Sequence, residues 1–391
     1  MCTTFRICML FVFFNLSAVF ADGPLKPLVI GLDADLTGSS LQAGQSISRG
    51  ISVAIHEIND RGGVLGRPLF LKTLDHRGNP LRARDNMLEF SETPELVAVV
   101  GGLHTPAALE VLPLVHEKQI PFLIPWAAGT TVVENGYQPN FVFRVSVRDS
   151  YAGKFLVGKA VERGFRRLGL LLENTGWGRS NQSAMITAAA EAGLPEPHIQ
   201  WVNWGAENVT AQLEVFKASN IEAVLLVANP PEGLVFIKEL AKTPDPKPAV
   251  LSHWGITGGN FFSEAADELK KVDVSFLYTF TFCGDKFQSG ADALFKKHSF
   301  LFPEFKSPLE VPATPGLAHA YDLIHLLAIA IENAGSSDRV KIRYAMENID
   351  QHTGVMKEYK SPFTKDNHDA LSIDYLILAR YDDNGNIIPI K

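Results

Sequence analysis

Short apolar runs and stretches of helical spacing follow one another along the chain from residue 28 onward. Residues 27–32, 69–74, 97–100 and 120–124 are compact apolar runs, the pattern of buried strands. Between the first two, apolar positions at 47, 51, 54, 55 and 58 predict a helix over 47–58, closed by Asn59-Asp60-Arg61-Gly62-Gly63. A second helix is predicted over 80–91. A third opens at His104-Thr105-Pro106 and carries Leu109, Leu112 and Val115 on its apolar side. Strict strand and helix alternation predicts an α/β, doubly wound parallel unit over 24–125.

Residues 141–145 form one more extended run, and the pattern then restarts. Helices are predicted over 151–163, 180–192, 210–218 and around 234–240, with strands over 167–172, 199–202, 223–227 and 249–251. A second doubly wound unit therefore covers about 149–275. Residues 274–282 alternate like a strand near a sheet edge, 291–298 and 317–333 are helical, and 303–315 is irregular and proline-rich. These elements are expected to complete the first unit. Residues 371–381 and 387–388 flank Asp382-Asp383-Asn384-Gly385-Asn386, the turn chemistry of a terminal hairpin. The expected organisation is two doubly wound parallel-sheet lobes, 22–148 plus 276–360 and 149–275 plus 361–391. Crossings near 146, 275 and 360 would act together as a three-crossover hinge, with a cleft between the lobes.

The stretch from Glu95 to Thr130 concentrates the candidate chemistry. Its two strands deliver His104-Thr105-Pro106 and Trp126-Ala127-Ala128-Gly129-Thr130 to one sheet edge, separated by a single crossover helix. Ligands of open parallel sheets sit at such an edge, because helix N-termini aim free N–H groups there. Thr105 offers a hydroxyl and an N–H; its bland alternative role is to cap a helix, as Trp126 would merely fill a core gap. Trp126, Trp177 and Trp254 all fall at expected strand ends or loops facing the cleft, and suit a flat or aromatic ligand or else ordinary lobe packing.

His104 and His253 lie far apart with no short-spaced partner, so hydrogen-bonding or structural roles are expected rather than a metal site. Gly31, Gly38 and Gly44 do not form a dinucleotide fingerprint, and no cofactor is expected. Ser39 and Ser40 lack a nucleophile-elbow context and a dedicated histidine, so no catalytic residues are assigned. A cleft hydrolase or isomerase is the enzymatic alternative.

The N-terminus changes the picture of where the protein works. Arg6 precedes an apolar run from Ile7 to Phe20, and Val19 and Ala21 stand before Asp22-Gly23-Pro24. This predicts a secretory signal cut after Ala21, too short for a membrane span. Of three cysteines only Cys283 would remain, so an exported chain must rest on its core rather than on an intrachain disulfide. The net charge of −7, with signs mixed throughout, argues against nucleic acid and against a polybasic membrane surface.

The order Ala34-Asp35-Leu36-Thr37-Gly38, Gly44, Gly50, Ala54, Glu57-Ile58-Asn59, Gly62-Gly63, Gly66, Asp75, the Gly101 loop and Phe143-Arg144-Val145 through Asp149 resembles the branched-chain amino-acid-binding group of type I periplasmic solute-binding proteins. The resemblance covers essentially all of the chain after the signal, including Tyr381-Asp382-Asp383-Asn384-Gly385. It implies a two-lobed periplasmic protein, expected to be monomeric, that closes on a small carboxylate-bearing solute and presents it to an ABC permease. A sensory module acting through a receptor or histidine kinase is the alternative.

Carried over by position, Thr105 matches the residue whose hydroxyl and N–H hold the ligand carboxylate, and Ala127 one that contacts ligand through its main chain. Gly129 stands where leucine binders use threonine. Trp177 takes the place of a tyrosine that closes over the ligand from the second lobe, and Asn229 falls near another aromatic position. Ser252-His253-Trp254-Gly255 stands where α-amino-acid binders place the glutamate that neutralises the ligand ammonium, and no acidic residue lies between Asp245 and Glu264. Asp149 would substitute only if its side chain reached inward. The expectation is therefore that phenyl- or branched-alkyl carboxylic acids bind better than leucine, isoleucine or valine.

Overall fold

The computed structural model describes residues 26–283 and 288–390; the expected signal and its cut after Ala21 lie outside the described residues. The first sheet contains β1 (Leu28–Ala34), β2 (Leu69–Asp75), β3 (Leu96–Val100), β4 (Phe122–Ile124) and β5 (Val142–Arg144). All pairs are parallel, in the order β2-β1-β3-β4-β5. β3 and β4 are buried at every position, as uninterrupted apolar runs covered on both faces must be. The helices of this part are α1 (Leu41–Asp60), α2 (Pro80–Ser91), α3 (Thr105–Glu117) and the short α4 (Thr130–Val133).

The chain then passes to a second sheet with parallel strands β6 (Leu168–Glu173), β7 (His198–Val202), β8 (Ala223–Val227), β9 (Ala249–Ser252) and β10 (Val274–Tyr278). Its helices are α5 (Asp149–Glu162), α6 (Gly176–Glu191), α7 (Thr210–Ala218), α8 (Pro230–Lys242) and α9 (Phe261–Leu269), and a 3-10 turn spans Trp254–Gly258. After β10 come α10 (Gln288–Leu301), α11 (Thr314–Ala334), α12 (Arg339–Met346) and a small hairpin of β11 (Gln351–Thr353) and β12 (Glu358–Lys360). β13 (Ile377–Tyr381) and β14 (Ile387–Pro389) finally add an antiparallel edge to the second sheet, whose order is β14-β13-β10-β9-β8-β6-β7.

α11 returns to the first sheet and packs along α1, where Gly50 makes room for the Leu317 carbonyl; a Cβ at that position would overlap it. α11 is long and apolar enough to cross a membrane, but 89% of its apolar window is buried here, which makes it a core helix. Connections between the two sheets follow β5 and β10 and lie between β12 and β13.

Several expectations move. Val274–Tyr278 was expected to complete the first unit, with the boundary at 276; it instead pairs with β9 and β13 in the second sheet. Alternation of side chains reports that a strand has two faces, and is silent about which sheet edge it joins. α1 begins at Leu41 rather than 47, because the Asp35 carboxylate accepts the N–H groups of Gly38 and Ser40 at 2.7 and 2.9 Å and turns the chain early. α6 begins at Gly176 rather than 180: the Thr175 hydroxyl caps it, accepting the Gly178 N–H at 3.4 Å. Trp177 is thus in the first turn of a helix and not in a loop. α9, α12 and the β11–β12 hairpin carried no expectation.

Candidate functional site

The loops after the strands of the two sheets meet in a cleft. Gln42 Nε2 donates to Asn260 Oδ1 at 2.8 Å, and the Thr130 N–H donates to Ser180 Oγ at 3.0 Å. Trp126 lies tilted on Trp254, ring centres 4.9 Å apart, and His104 meets the edge of Trp204 at 6.4 Å. The two lobes are therefore closed on each other, around a small residual cavity. His104, Thr105, Trp126, Ala127, Trp177, Asn229 and Trp254 line it, whereas Gly129, Asp149 and His253 stand behind its walls. Among the described residues no acidic side chain lines the cavity.

Thr105 is the first residue of α3, whose N-cap, His104, makes no side-chain capping bond. The first-turn N–H groups of Thr105 and Ala107 have no intrahelical acceptor, while Pro106 between them has no N–H, so the cavity end of α3 keeps two uncompensated donors. The Thr105 hydroxyl accepts the Gly129 N–H at 3.1 Å, which leaves its own proton free to be donated. The facing helix end in the other lobe is different: α8 opens with Pro230 and Pro231, which have no N–H, followed by Glu232. An anion is therefore favoured at the α3 end and disfavoured at the α8 end.

Main-chain contact through Ala127, which the resemblance implied, meets two occupied groups. Its N–H donates to the Gly102 carbonyl at 3.0 Å, and its own carbonyl accepts from Arg144 at 3.1 Å. The N–H of Ala128, which lines the cavity within the expected 126–130 strand end, has no acceptor among the described residues. Gly129 is excluded from a threonine-like role by packing, since a Cβ there would overlap Thr105 Cγ2.

Asp149 is fully buried beside Trp177 and His253. Its Oδ1 accepts from Trp177 Nε1 at 3.3 Å and lies 3.3 Å from His253 Nε2, and its Oδ2 has no hydrogen-bond partner among the described residues. The Trp177 and His253 rings meet edge to face at 5.0 Å. Trp177 reaches this position because Gly255 has no side chain: a Cβ at 255 would overlap the indole. The region expected to hold a glutamate is thus filled by Trp254 and by the Trp177 ring, and Asp149 is screened from the cavity rather than lining it.

Three further groups frame the site and were not singled out. His319 on α11 donates from Nδ1 to the Pro125 carbonyl at 2.8 Å and faces Thr279 Oγ1 at 3.0 Å through Nε2, behind Trp254. Burial brings its pKa down to about 4, so the ring is neutral at pH 7. Asp35 lies 3.5 Å from His104; burial pushes its pKa up, but bonds from His104, Ser40 and Gly38 outweigh this and hold it below the ordinary value. Glu173 at the end of β6 accepts from Trp204 Nε1 at 2.7 Å and from Asn229 Nδ2 at 3.1 Å, which explains why Asn229 is fixed at the cavity wall. Burial raises the Glu173 pKa to about 7 against the pull of those donors, with Glu232 adding to the rise.

A stability profile follows from Glu173 and from Asp33, whose carboxyl burial raises to about 8 while Asn86 lowers and Asp75 raises it. An acid with a raised folded pKa keeps its proton when folded after the unfolded chain has lost it, so stability falls as pH rises toward the folded value. The buried histidines, His76 held at about 3 and His319 at about 4, act oppositely only below their ordinary value of 6.5. Melting temperature is therefore expected to decline between about pH 6.5 and 8. Asp33→Asn, which mimics the protonated acid and can keep the Asn86 contact, is expected to flatten that decline; an unchanged slope in a thermal melt series would refute the assignment to Asp33.

Comparison with known proteins agrees with this architecture. Residues 27–386 match the family model described as periplasmic binding protein. The Leu/Ile/Val-binding protein BraC3 of Rhizobium johnstonii is 24% identical over 340 residues, covering 82% of this chain and 83% of that protein. Among solved structures, a periplasmic binding protein type 1 from Bordetella pertussis Tohama I superposes with a TM-score of 0.84 at 22% identity, covering 93% of this chain and all of that one. A solute-binding protein of an ABC transporter from R. palustris, solved with 4-hydroxybenzoate, superposes at 0.77 with 16% identity over 93% of this chain and 96% of that one. At these identities the structural likenesses speak for the fold alone. With the family model spanning both sheets and all three connections, the chain belongs to the periplasmic binding proteins, as a type I member of the group that includes the Leu/Ile/Val-binding proteins.

Proposed function

We propose that this protein is an exported solute-binding protein that captures a small carboxylic acid with an apolar or aromatic body between its lobes and delivers it to an ABC permease. One observation carries the reading: the uncapped N-terminus of α3, with Thr105, opens into a cavity walled by Trp126, Trp177 and Trp254 and, among the described residues, by no acidic side chain. A carboxylate at that helix end gains charge-assisted bonds from the Thr105 hydroxyl and the first-turn N–H groups. The Ala128 N–H adds a donor from the next loop. Indole faces then cover the body of the acid without asking for a charged partner. The Leu/Ile/Val-binding relative and the hydroxybenzoate-bound neighbour are consistent with a carboxylate ligand, and membership of the family supports a periplasmic location.

The deciding experiment pairs calorimetry with solution scattering, using 4-methylpentanoate and phenylacetate as probes. Binding without turnover is expected, and the bound form is expected to have the smaller radius of gyration, because contacts from both lobes exclude water only when the cleft is shut. Thr105→Val is expected to weaken the acid by about 1–3 kcal/mol while the matching uncharged amide loses less. Turnover of a probe would favour an enzyme. Equal losses for acid and amide would mean that the substitution disturbs the lobe and not the carboxylate contact.

A further inference from the structure

Each carbonyl of the loop that brings Trp126, Ala127 and Ala128 to the cavity accepts a hydrogen bond from the segment that forms the first connection between the lobes. Ser146 Oγ donates to the Trp126 carbonyl at 2.9 Å, and Arg144 Nη1 donates to those of Ala127 and Gly129 at 3.1 and 2.9 Å. The Asp149 N–H donates to the Ala128 carbonyl at 2.8 Å. Consecutive carbonyls from 126 to 129 are thus all fastened to residues 144–149. With its acceptors turned to the hinge, the loop presents its side chains and the Ala128 N–H to the cavity.

The third connection joins the same group. The Arg144 guanidinium grips the Asp369 carboxylate with Nε and Nη2, the latter bonding Oδ2 at 3.0 Å, and Arg148 Nη1 lies 3.6 Å from the same oxygen. Backbone bonds from the Arg144 N–H to the His368 carbonyl and from the Ala370 N–H to the Arg144 carbonyl, both 2.9 Å, clamp the segment further. Arg144 is fully buried and Asp369 nearly so. Only a planar fork with several donors can serve a carboxylate on one edge and two carbonyls on another; an ammonium on a flexible stem cannot.

We propose that Arg144 is a positioning residue for ligand capture: it joins the ligand-facing loop 126–129 to the first and third connections, so that rotation of the lobes and placement of the loop are one motion. Asp369 orients Arg144 in that role. The proposal takes the cleft to close on a carboxylate, as above, but its first test needs no ligand.

That test is amide hydrogen exchange on the unligated full chain, wild type against Arg144→Lys. Peptides covering 126–131 and 366–371 are expected to exchange at least about tenfold faster in the variant, while those of β1, β3, β6 and β8 keep their rates. No change in the two segments, or equal acceleration over both sheets, would overturn the proposal in favour of a general packing role. Asp369→Asn supplies a second variant, in which Arg144 loses the carboxylate that orients it, so that 366–371 and 126–131 are both expected to loosen; loosening of neither would also overturn it. In a ligand arm with 4-methylpentanoate, Arg144→Lys is expected to weaken binding at least about tenfold, chiefly through faster dissociation. Unchanged affinity beside a loosened loop would refute the link to capture. If the wild type itself fails to bind 4-methylpentanoate, the carboxylate reading falls and the exchange arm still decides the role of Arg144.

Discussion

4-Methylpentanoate is expected to bind at least about tenfold more tightly than leucine, a difference of about 1.4 kcal/mol or more. The two molecules share a carboxylate and a branched body and differ in one ammonium. The carboxylate of either finds the α3 terminus, with the Thr105 hydroxyl proton still to donate. The ammonium finds no acidic side chain among the described residues of the cavity wall. Where that partner was expected stands Trp254, tilted against Trp126, and the buried carboxylate beside it, Asp149, already holds Trp177 Nε1 and lies against His253. An ammonium taken from water without an ionic partner costs about several kcal/mol, so a net preference of tenfold is a cautious expectation after partial compensation by carbonyls. Paired calorimetry at one pH and one salt concentration measures it, with phenylalanine and 3-phenylpropanoate as an aromatic pair. If leucine binds tenfold tighter, Asp149 has turned its free Oδ2 to the ligand, and Asp149→Asn then removes that preference.

Gly255→Ala is expected to open the cleft and to destabilise the protein by about 1–3 kcal/mol, the usual range for overpacking a filled site. A Cβ at 255 would overlap Trp177 and sit 2.5 Å from the Ala228 carbonyl, which is backbone and cannot swing aside. The indole must therefore leave, and with it go the bond to Asp149 and the cover over the cavity from the second lobe. Affinity for 4-methylpentanoate is expected to fall by at least about tenfold, through dissociation, because an uncovered ligand stays in contact with water. Thermal melts, calorimetry and scattering with ligand read the three effects. A variant that melts lower yet binds and closes like the wild type would show that Trp177 has no part in capture.

Gly129 and Gly255 show how far composition alone can mislead about a site. At 129 the missing side chain accounts for a lost hydroxyl, and at 255 it makes room for a ring from another helix. A glycine in sequence records only that something comes close or that the backbone bends. What comes close is a tertiary fact.

Strand and helix order, the type of each long element and the two-sheet plan were legible in the chain because buried strands and amphipathic helices have different apolar periods. α2 and α7 were bounded as found, since Asn79 with Pro80 and the start at Thr210 mark their first turns. Thr105 at a helix start beside a sheet edge was legible for the same reason, as was the absence of a glutamate after Ser252. Arg144 carried a signal that went unused: a lone arginine between Phe143 and Val145, in an apolar strand, must find buried partners. Which partners could not be read, because Asp369 is 225 residues away and the carbonyls it helps to place carry no side-chain label. The same limit hid the membership of β10 in the second sheet, the engagement of Ala127 and the screening of Asp149. Local sequence sets the period of burial and the caps of helices, interactions that span a few residues; sheet edges, cavity walls and the partner of each buried charge are settled by contacts between distant segments, which only the folded chain brings together.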